Sequence, residues 1–189
     1  MGGMKTSTLP PLTIADLESM PDDGNRYELI DGEIFVSSAP SFFHQSVLMN
    51  IAAAFLDYQH ANPIGKILPG VGVIFDDYNG VIPDLVFLTH ERRRKIVGAG
   101  KLRAAPEIAI EILSPGVSNE RRDRHIKRDL YSARGVSEYW IVDSEDRAVE
   151  TYRRGDGGLE FFGSLKAADA VTSDILPGFR VAAEAFFAD

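Results

Sequence analysis

The segment Glu107–Tyr131, EIAIEILSPGVSNERRDRHIKRDLY, sets a glutamate, Glu111, inside an aliphatic run and follows it at once with a heavily basic stretch. The first half reads as a strand, the second as a helix with Asn119 or Ser118 as its cap and Gly135 as its terminator. A helix that follows a strand directly packs back on the sheet, the arrangement of a mixed α/β protein. Strand alternation sends Ile108, Ile110 and Ile112 to one face and Glu107, Ala109, Glu111 and Leu113 to the other. Burying an ionised carboxylate costs on the order of several kcal/mol unless a cation or a set of donors pairs with it. Glu111 therefore demands a partner from elsewhere in the chain.

Outward from that segment the elements alternate. KILPGVGVIFDD (66–77) and VIPDLVFLT (81–89) read as two more strands, and YELIDGEIFV (27–36) as two strand runs about an Asp31-Gly32 hairpin turn. TIADLESMP (13–21) is a short helix that Pro21 stops. HQSVLMNIAAAFLDYQHAN (44–62) is an amphipathic helix with Val47, Ile51, Ala54 and Phe55 at helical spacing, Ser41 as its cap and Pro63 beyond its end. EYWIVDSE, AVETYRRG and LEFFGSL close the chain as a meander before a short tail around Pro177. The expected class is α/β: a mixed sheet flanked by helices, with an N-terminal hairpin and a C-terminal β meander. Residues 1–189 form one domain in this reading, with 1–11 a flexible tail.

The composition is that of an ordinary soluble domain, 44% hydrophobic and 25% charged. No cysteine occurs, which excludes disulfides, thiolate catalysis and cysteine-built zinc sites, and leans towards the cytoplasm. Neither a run of membrane-spanning length nor a signal peptide is visible, so no membrane partner is expected. MGGMKT matches the short myristoylation pattern at Gly2 and Thr6, but a terminal tail is the better reading. The net charge of -8 argues against wholesale coating of nucleic acid. Its distribution is uneven: between His90 and Arg134, twelve Lys and Arg face six acids, an excess of +6. That segment is either a solvated charged face or an electrostatic footprint for phosphates.

In VIPDLVFLT, Asp84 shares a face with Val86 and Leu88, another acid at the mouth of an apolar strand. Placed side by side, the two strands would bring Asp84 and Glu111 together. Paired carboxylates on an apolar sheet repel unless one is protonated or a cation lies between them. A divalent metal supplies that cation, and oxygen-only ligation suits Mg²⁺ or Mn²⁺ beside substrate phosphates. The competing reading has Asp84 capping a turn after Pro83 and Glu111 paired with an arginine. On the basic helix, 100° per residue makes Ile126, Leu130 and Ala133 the buried stripe, with Asp123 and Lys127 along its edge beside Tyr131. Lys127 can then reach the face of Glu111, or remain in a surface ion pair with Asp123.

Pro83-Asp84 followed by Glu111-Ile112-Leu113 resembles the PD-(D/E)XK nuclease superfamily, with Leu113 in the usual lysine position. YELIDGE, PDLVFL, EIAIEILSP, the DRHIK segment and GVSEYWIVD, in that order, are similar to the Uma family of restriction-endonuclease-like proteins over roughly Leu12 to Arg153. In that family the lysine has moved to the following helix, in a D-x-x-x-K pattern matched by Asp123 and Lys127. The resemblance implies a restriction-endonuclease-like core in which Asp84, Glu111 and the Ile112 carbonyl hold Mg²⁺ (or Mn²⁺). Lys127 would orient or deprotonate the attacking water, and the reaction would be phosphodiester hydrolysis of nucleic acid, DNA first among substrates. A homodimer is compatible with likeness to nucleases that cut two strands.

Six more positions carry two readings each. His44 would contact a phosphate or metal-bound water, or serve structurally at a helix start. Glu28 and Glu33, on either side of the Asp31-Gly32 turn, match acids of the family's N-terminal motif; a second ligand role and plain solvated strand positions both stand. Asp123 is a site acid or a surface partner of Lys127. Trp140 and Tyr139 read as core, with base stacking the lesser alternative. Leu113 and the acidic pI leave room for a non-catalytic scaffold with a nuclease fold, and a two-carboxylate site alone does not exclude another phosphate ester.

Overall fold

The structure is a computed structural model that describes residues 10–188. The Gly2–Thr6 match and most of the expected N-terminal tail lie outside the described residues. Leu12 donates its amide to the Gly32 carbonyl, so by that point the chain is already tied to the hairpin.

The chain opens with α1 (Ile14–Glu18), capped by Thr13, and the hairpin β1 (Arg26–Ile30) and β2 (Glu33–Ser37). Asp31 and Gly32 both take positive φ, 49° and 77°, as a two-residue primed turn requires. A side chain at Gly32 would also meet Pro11 Cβ at 2.5 Å. Next come α2 (Phe42–Ala61), β3 (Gly65–Pro69), β4 (Val73–Asp76), β5 (Asn79–Val81), β6 (Leu85–Thr89), α3 (His90–Ile96) and the short β7 (Val97–Gly98) and β8 (Lys101–Leu102). β9 (Ile108–Ile112) leads into one long helical segment: α4 (Val117–Arg121), a π-helical turn (Arg122–Lys127) and α5 (Arg128–Arg134). The meander β10 (Glu138–Asp143), β11 (Ala148–Gly155) and β12 (Gly158–Lys166) follows, then the hairpin β13 (Ala170–Thr172) and β14 (Arg180–Ala182), and a 3₁₀ turn at Ala183–Phe187.

The central sheet has the order β12-β11-β10-β9-β6-β3, with β9 and β10 parallel and its other neighbours antiparallel. The second sheet, β2-β1-β5-β4-β8-β7, packs on one of its faces together with the helical segment after β9. There Ile30, Val81 and Leu102 meet Ala109, Leu113, Tyr139 and Tyr131. The opposite face carries Ile108, Ile110, Ile112 and Trp140 against Val47, Ile51 and Phe55 of α2. The alternation of β9 is thus as its sequence implies, and the α/β class with helices flanking a mixed sheet holds.

Several details differ from expectation. KILPGVGVIFDD is two strands in different sheets, broken at Gly70–Gly72, because a run of small residues and Pro69 cannot continue the ladder. VIPDLVFLT breaks at Pro83 for the same reason, leaving Asp84 on the approach to β6 rather than within it. The region around Pro177 is no loose tail: Val171, Leu176 and Phe186 are fully buried, and Phe179 packs 5.1 Å from the Phe55 ring. The helix after β9 starts at Val117, with Gly116 at φ 113° as its N-cap and no side-chain cap, while Gly135 ends it in the left-handed conformation as expected. Its buried stripe is also displaced: Ala133 is exposed, and Arg122, Asp123, Lys127, Leu130 and Tyr131 face inward. A π turn has more than four residues per turn, so a 100° projection drifts across it. Among the described residues no helix is long and apolar enough to cross a membrane.

Candidate active site

β6 and β9 are antiparallel neighbours with Leu85 opposite Ile110, a register that sets Asp84 across from Glu111. β9 runs on past the last rung of that ladder, and its free edge is completed by a side chain: the Ile112 amide donates to Asp84 Oδ2 at 2.9 Å. In an extended strand a residue's N–H and C=O leave on the same edge, so the Ile112 carbonyl also lies on the Asp84 side. Asp84 further accepts from Arg26 Nη1 at 3.1 Å and contacts His44 Nε2 at 3.1 Å. Burial opposes its charge, but His44, the Ile112 amide and Lys127 outweigh burial and hold the carboxyl below its ordinary range.

β1 contributes Arg26 and Glu28, two residues apart and so on one face. Glu28 is buried and accepts the Ile82 amide at 2.7 Å, which pins the Ile82-Pro83-Asp84 approach to β6. The helical segment contributes Arg122, Asp123, Lys127 and Tyr131, all buried. Lys127 Nζ lies 2.8 Å from Glu28 Oε1, 3.0 Å from Glu111 Oε1 and 3.9 Å from Asp123 Oδ1. Tyr131 donates to Glu111 Oε1 at 2.7 Å, and Arg122 Nε to Asp123 Oδ1 at 3.0 Å. Burial pulls the lysine towards neutrality, but the surrounding carboxylates win and raise its pKa. Glu111 goes the other way: burial, reinforced by Asp84, Asp123 and Glu28, pushes it up to about 8 despite Lys127. Asp123 is raised as well, again chiefly by burial.

Four carboxylates therefore face three formal cations, Arg26, Arg122 and Lys127, and a proton on Glu111 brings the cluster to balance. The partner that Glu111 demanded is Lys127, not an arginine, and Tyr131 adds a donor that the strand-and-helix reading placed nearby without assigning it a contact. Asp84, Glu111, Ile112, Lys127, Asp123, Glu28 and His44 all line one small cleft of about 30 Å³, room for an ion or a water. Glu33 is not among them; it sits exposed at the first position of β2, where alternation turns it outward. Arg26, Arg122 and Tyr131 are the members sequence reasoning passed over. The i, i+2 spacing of Arg26 and Glu28 on one strand face was the available signal for the first.

Whether these residues suit a divalent ion turns on the donor set. Among the described residues no group of three or more His, Asp or Glu side chains is arranged as a cation cage. Of the four carboxylates that line the cleft, Asp84 and Glu111, with the Ile112 carbonyl, would offer the sparse oxygen set with which Mg²⁺ keeps several waters. His44 Nδ1 is buried without a hydrogen-bond partner among the described residues, a sign that the site's polar capacity is unfilled. The donor set fits.

The basic segment is dispersed by folding. Lys95, Lys101, Arg124, Arg128 and Arg134 are in ion pairs with Glu91, Glu18, Asp143 and Glu150, Asp129 and Asp76 respectively. Arg93 and Arg94 lie on α3, which begins past the far end of β6, an end itself roughly 16 Å from Asp84 at 3.3 Å per strand residue. Arg121, exposed on α4 and next in sequence to the cleft residue Arg122, takes part in no ion pair among the described residues.

No curated protein matches the chain. Among solved structures it is similar to one described as a putative nuclease belonging to DUF820 from Anabaena variabilis, with a TM-score of 0.75 at 18% identity over 94% of this chain and 98% of that one. That likeness shows a shared fold. The model of the Uma2 family, described as "Putative restriction endonuclease", matches residues 14–184. The chain belongs to the Uma2 family of putative restriction endonucleases.

Proposed function

We propose that the protein is a metal-dependent endonuclease that hydrolyses phosphodiester bonds of nucleic acid, with DNA the leading substrate. The observation that carries this is the convergence of Asp84, Glu111 and Lys127 from three separate elements on one buried cleft, with Lys127 3.0 Å from Glu111. Asp84, Glu111 and the Ile112 carbonyl would hold Mg²⁺ or Mn²⁺. When bound, such an ion supplies Lewis-acid polarisation of the phosphate and a water acidic enough to attack near neutral pH.

The protein's own groups do the rest. Lys127, fixed between Glu28 and Glu111, offers a positive charge at the position where charge builds on the phosphate, without reorganisation during the reaction. Glu111, which burial keeps protonated in the metal-free site, would give up that proton on binding the ion. Glu28 and Asp123 keep Lys127 in place and charged. His44 holds Asp84 on the opposite side. Only a cut through both strands of a duplex would call for two such sites, and so for a homodimer.

The experiment is a calorimetric Mn²⁺ titration of wild type and Glu111→Gln, alongside cleavage of single- and double-stranded DNA and RNA. Saturable binding lost in the variant, with Mn²⁺-dependent cleavage lost in both Glu111→Gln and Lys127→Ala, is the expected result. Normal binding by Glu111→Gln, or cleavage that survives both changes, would refute the assignment.

A further inference from the structure

The catalytic cleft has a larger neighbour. Between the first turn of α2, the loop after β9 and the β10–β11 turn lies a cavity of about 390 Å³, inside the range of roughly 300–1,000 Å³ usual for small-molecule sites. It shares His44 and Ser114 with the cleft, so His44 stands in the partition between the two. His44 turns Nε2 to Asp84 and leaves Nδ1 buried without a partner among the described residues. Across the cavity, Ser144 Oγ is likewise buried and unpartnered among the described residues. Its apolar wall includes Val47, Leu113 and Phe187, with the Arg147 guanidinium 5.5 Å from the Phe187 ring centre.

Two aromatic side chains stand at this site for no structural reason. Phe43 lines the cavity at 71% exposure, and Phe42 is 80% exposed beside it, the rings edge to face at 5.7 Å. Neither buries itself in a core, and exposed aromatics beside a polar cleft mark a recognition surface. The charge of the lining narrows the occupant: Glu120, Asp143 and Glu145 border the cavity against Arg147 alone, and although Asp143 is paired with Arg124 the balance disfavours a phosphate. Apolar walls, a buried hydroxyl and a buried imidazole nitrogen left without partners among the described residues, and acidic acceptors suit an uncharged heteroaromatic ring that carries N–H donors.

We propose that this cavity receives an unpaired nucleobase of the strand being cut, the base next to the phosphate seated at Asp84 and Glu111. The proposal rests on the nuclease reading and adds the substrate class to it. A base within a duplex cannot enter such a cavity without leaving its stack, whereas single strands offer their bases freely to aromatic platforms. The preferred substrate is therefore a single-stranded segment.

The test uses fluorescence anisotropy in EDTA with three labelled probes: a mixed-sequence single-stranded 12-mer of DNA, the matching duplex, and an abasic 12-mer of the same charge. Stacking one base corresponds to a factor of about five or more in affinity, so the single strand should bind at least about fivefold tighter than the abasic probe and the duplex. Phe43→Ser, at an exposed position that leaves folding intact, should remove most of that margin while affinity for the abasic probe stays the same. Ser144→Leu should act likewise, and calorimetric Mn²⁺ binding by Phe43→Ser should match wild type. Equal affinity for base-bearing and abasic strands, or variants that weaken both probes alike, would overturn the base pocket. Cleavage that depends on Glu111 and Lys127 would leave the nuclease reading standing in that event. Base-dependent binding by a protein that cleaves nothing with Mn²⁺ would instead overturn the nuclease reading, and with it the assignment to a strand being cut.

Discussion

Replacing Glu111 with Gln should change how stability depends on pH, in a direction the structure fixes. Burial, aided by Asp84, Asp123 and Glu28, lifts the Glu111 pKa from 4.5 to about 8. Between these values the folded protein holds a proton that the unfolded chain releases. Stability contributed by this group is therefore highest below about pH 4.5 and falls as pH rises towards 8. The slope is at most about 1.4 kcal/mol per pH unit, the value for one proton. From pH 5.5 to 7.5 wild type should lose up to about 3 kcal/mol that the variant does not lose. Lys127 and Asp84 supply no such slope, and the raised Asp123 adds its own to both proteins alike. The raised Lys127 contributes stability across this whole window and loses it only at higher pH, and the lowered Asp84 contributes above its ordinary value and loses it only in acid. Glutamine keeps an oxygen for Lys127 and Tyr131, so the packing is conserved. Urea unfolding of both proteins at pH 5.5, 6.5, 7.5 and 8.5 in EDTA measures the difference. Parallel profiles would mean that Glu111 is ionised throughout and that the balance drawn for the cluster is wrong.

Other perturbations separate structural from chemical roles. Lys127→Met strips the shared cation from Glu28 and Glu111 and should cost about 3–5 kcal/mol by urea unfolding, the usual penalty for breaking a buried pair on one side; a loss under 1 kcal/mol would show that water already reaches the site. Glu138→Ala orphans three buried donors, from Ser173 Oγ, the Asp174 amide and Trp140 Nε1, and should destabilise by about 3 kcal/mol or more while calorimetric Mn²⁺ affinity is unchanged. Arg121→Gln should reduce the salt slope of single-strand binding by about 0.7, whereas Arg94→Gln should not alter it; the reverse would move the nucleic-acid track to α3.

The sequence carried the faces of β9, the hairpin turn and the order of the strands, because each rests on a local rule of alternation or turn chemistry. It missed what depends on long-range closure. Glu138, to which the reading of EYWIVD gave no partner, is buried by Ser173–Ile175, a segment 35 residues on that itself read as tail. The +6 count between His90 and Arg134 treated charges as though a linear run were a surface. Folding pairs Lys101, Arg124 and Arg134 with acids from α1, β4 and β10–β11, none of which lies in the basic segment. The helix stripe failed for a subtler reason. A single π turn leaves no mark in hydrophobic periodicity when its inward residues are Arg122, Asp123 and Lys127, which count as polar.

The helical segment after β9 explains how a strand without a lysine can still have one at the site. Just past β9 the position two residues after Glu111 points to the same face, and Leu113 there is buried in the core beneath the second sheet. The charge must arrive from the next element. Packing on the sheet already turns Leu130 and Tyr131 inward, with Tyr131 bonded to Glu111. Lys127 and Asp123 stand four and eight residues before Tyr131, so an α-helical projection from those anchors sets both on the buried face and leaves Arg122 on the far side. The wider π turn at 122–127 brings Arg122 inward as well, so that Arg122, Asp123 and Lys127 all line the cleft. Three carboxylates then lie within 4 Å of one ammonium. The D-x-x-x-K spacing is thus a constraint of the helix face: moving the lysine to position 126 or 128 would leave Glu28 and Glu111 with no cation between them.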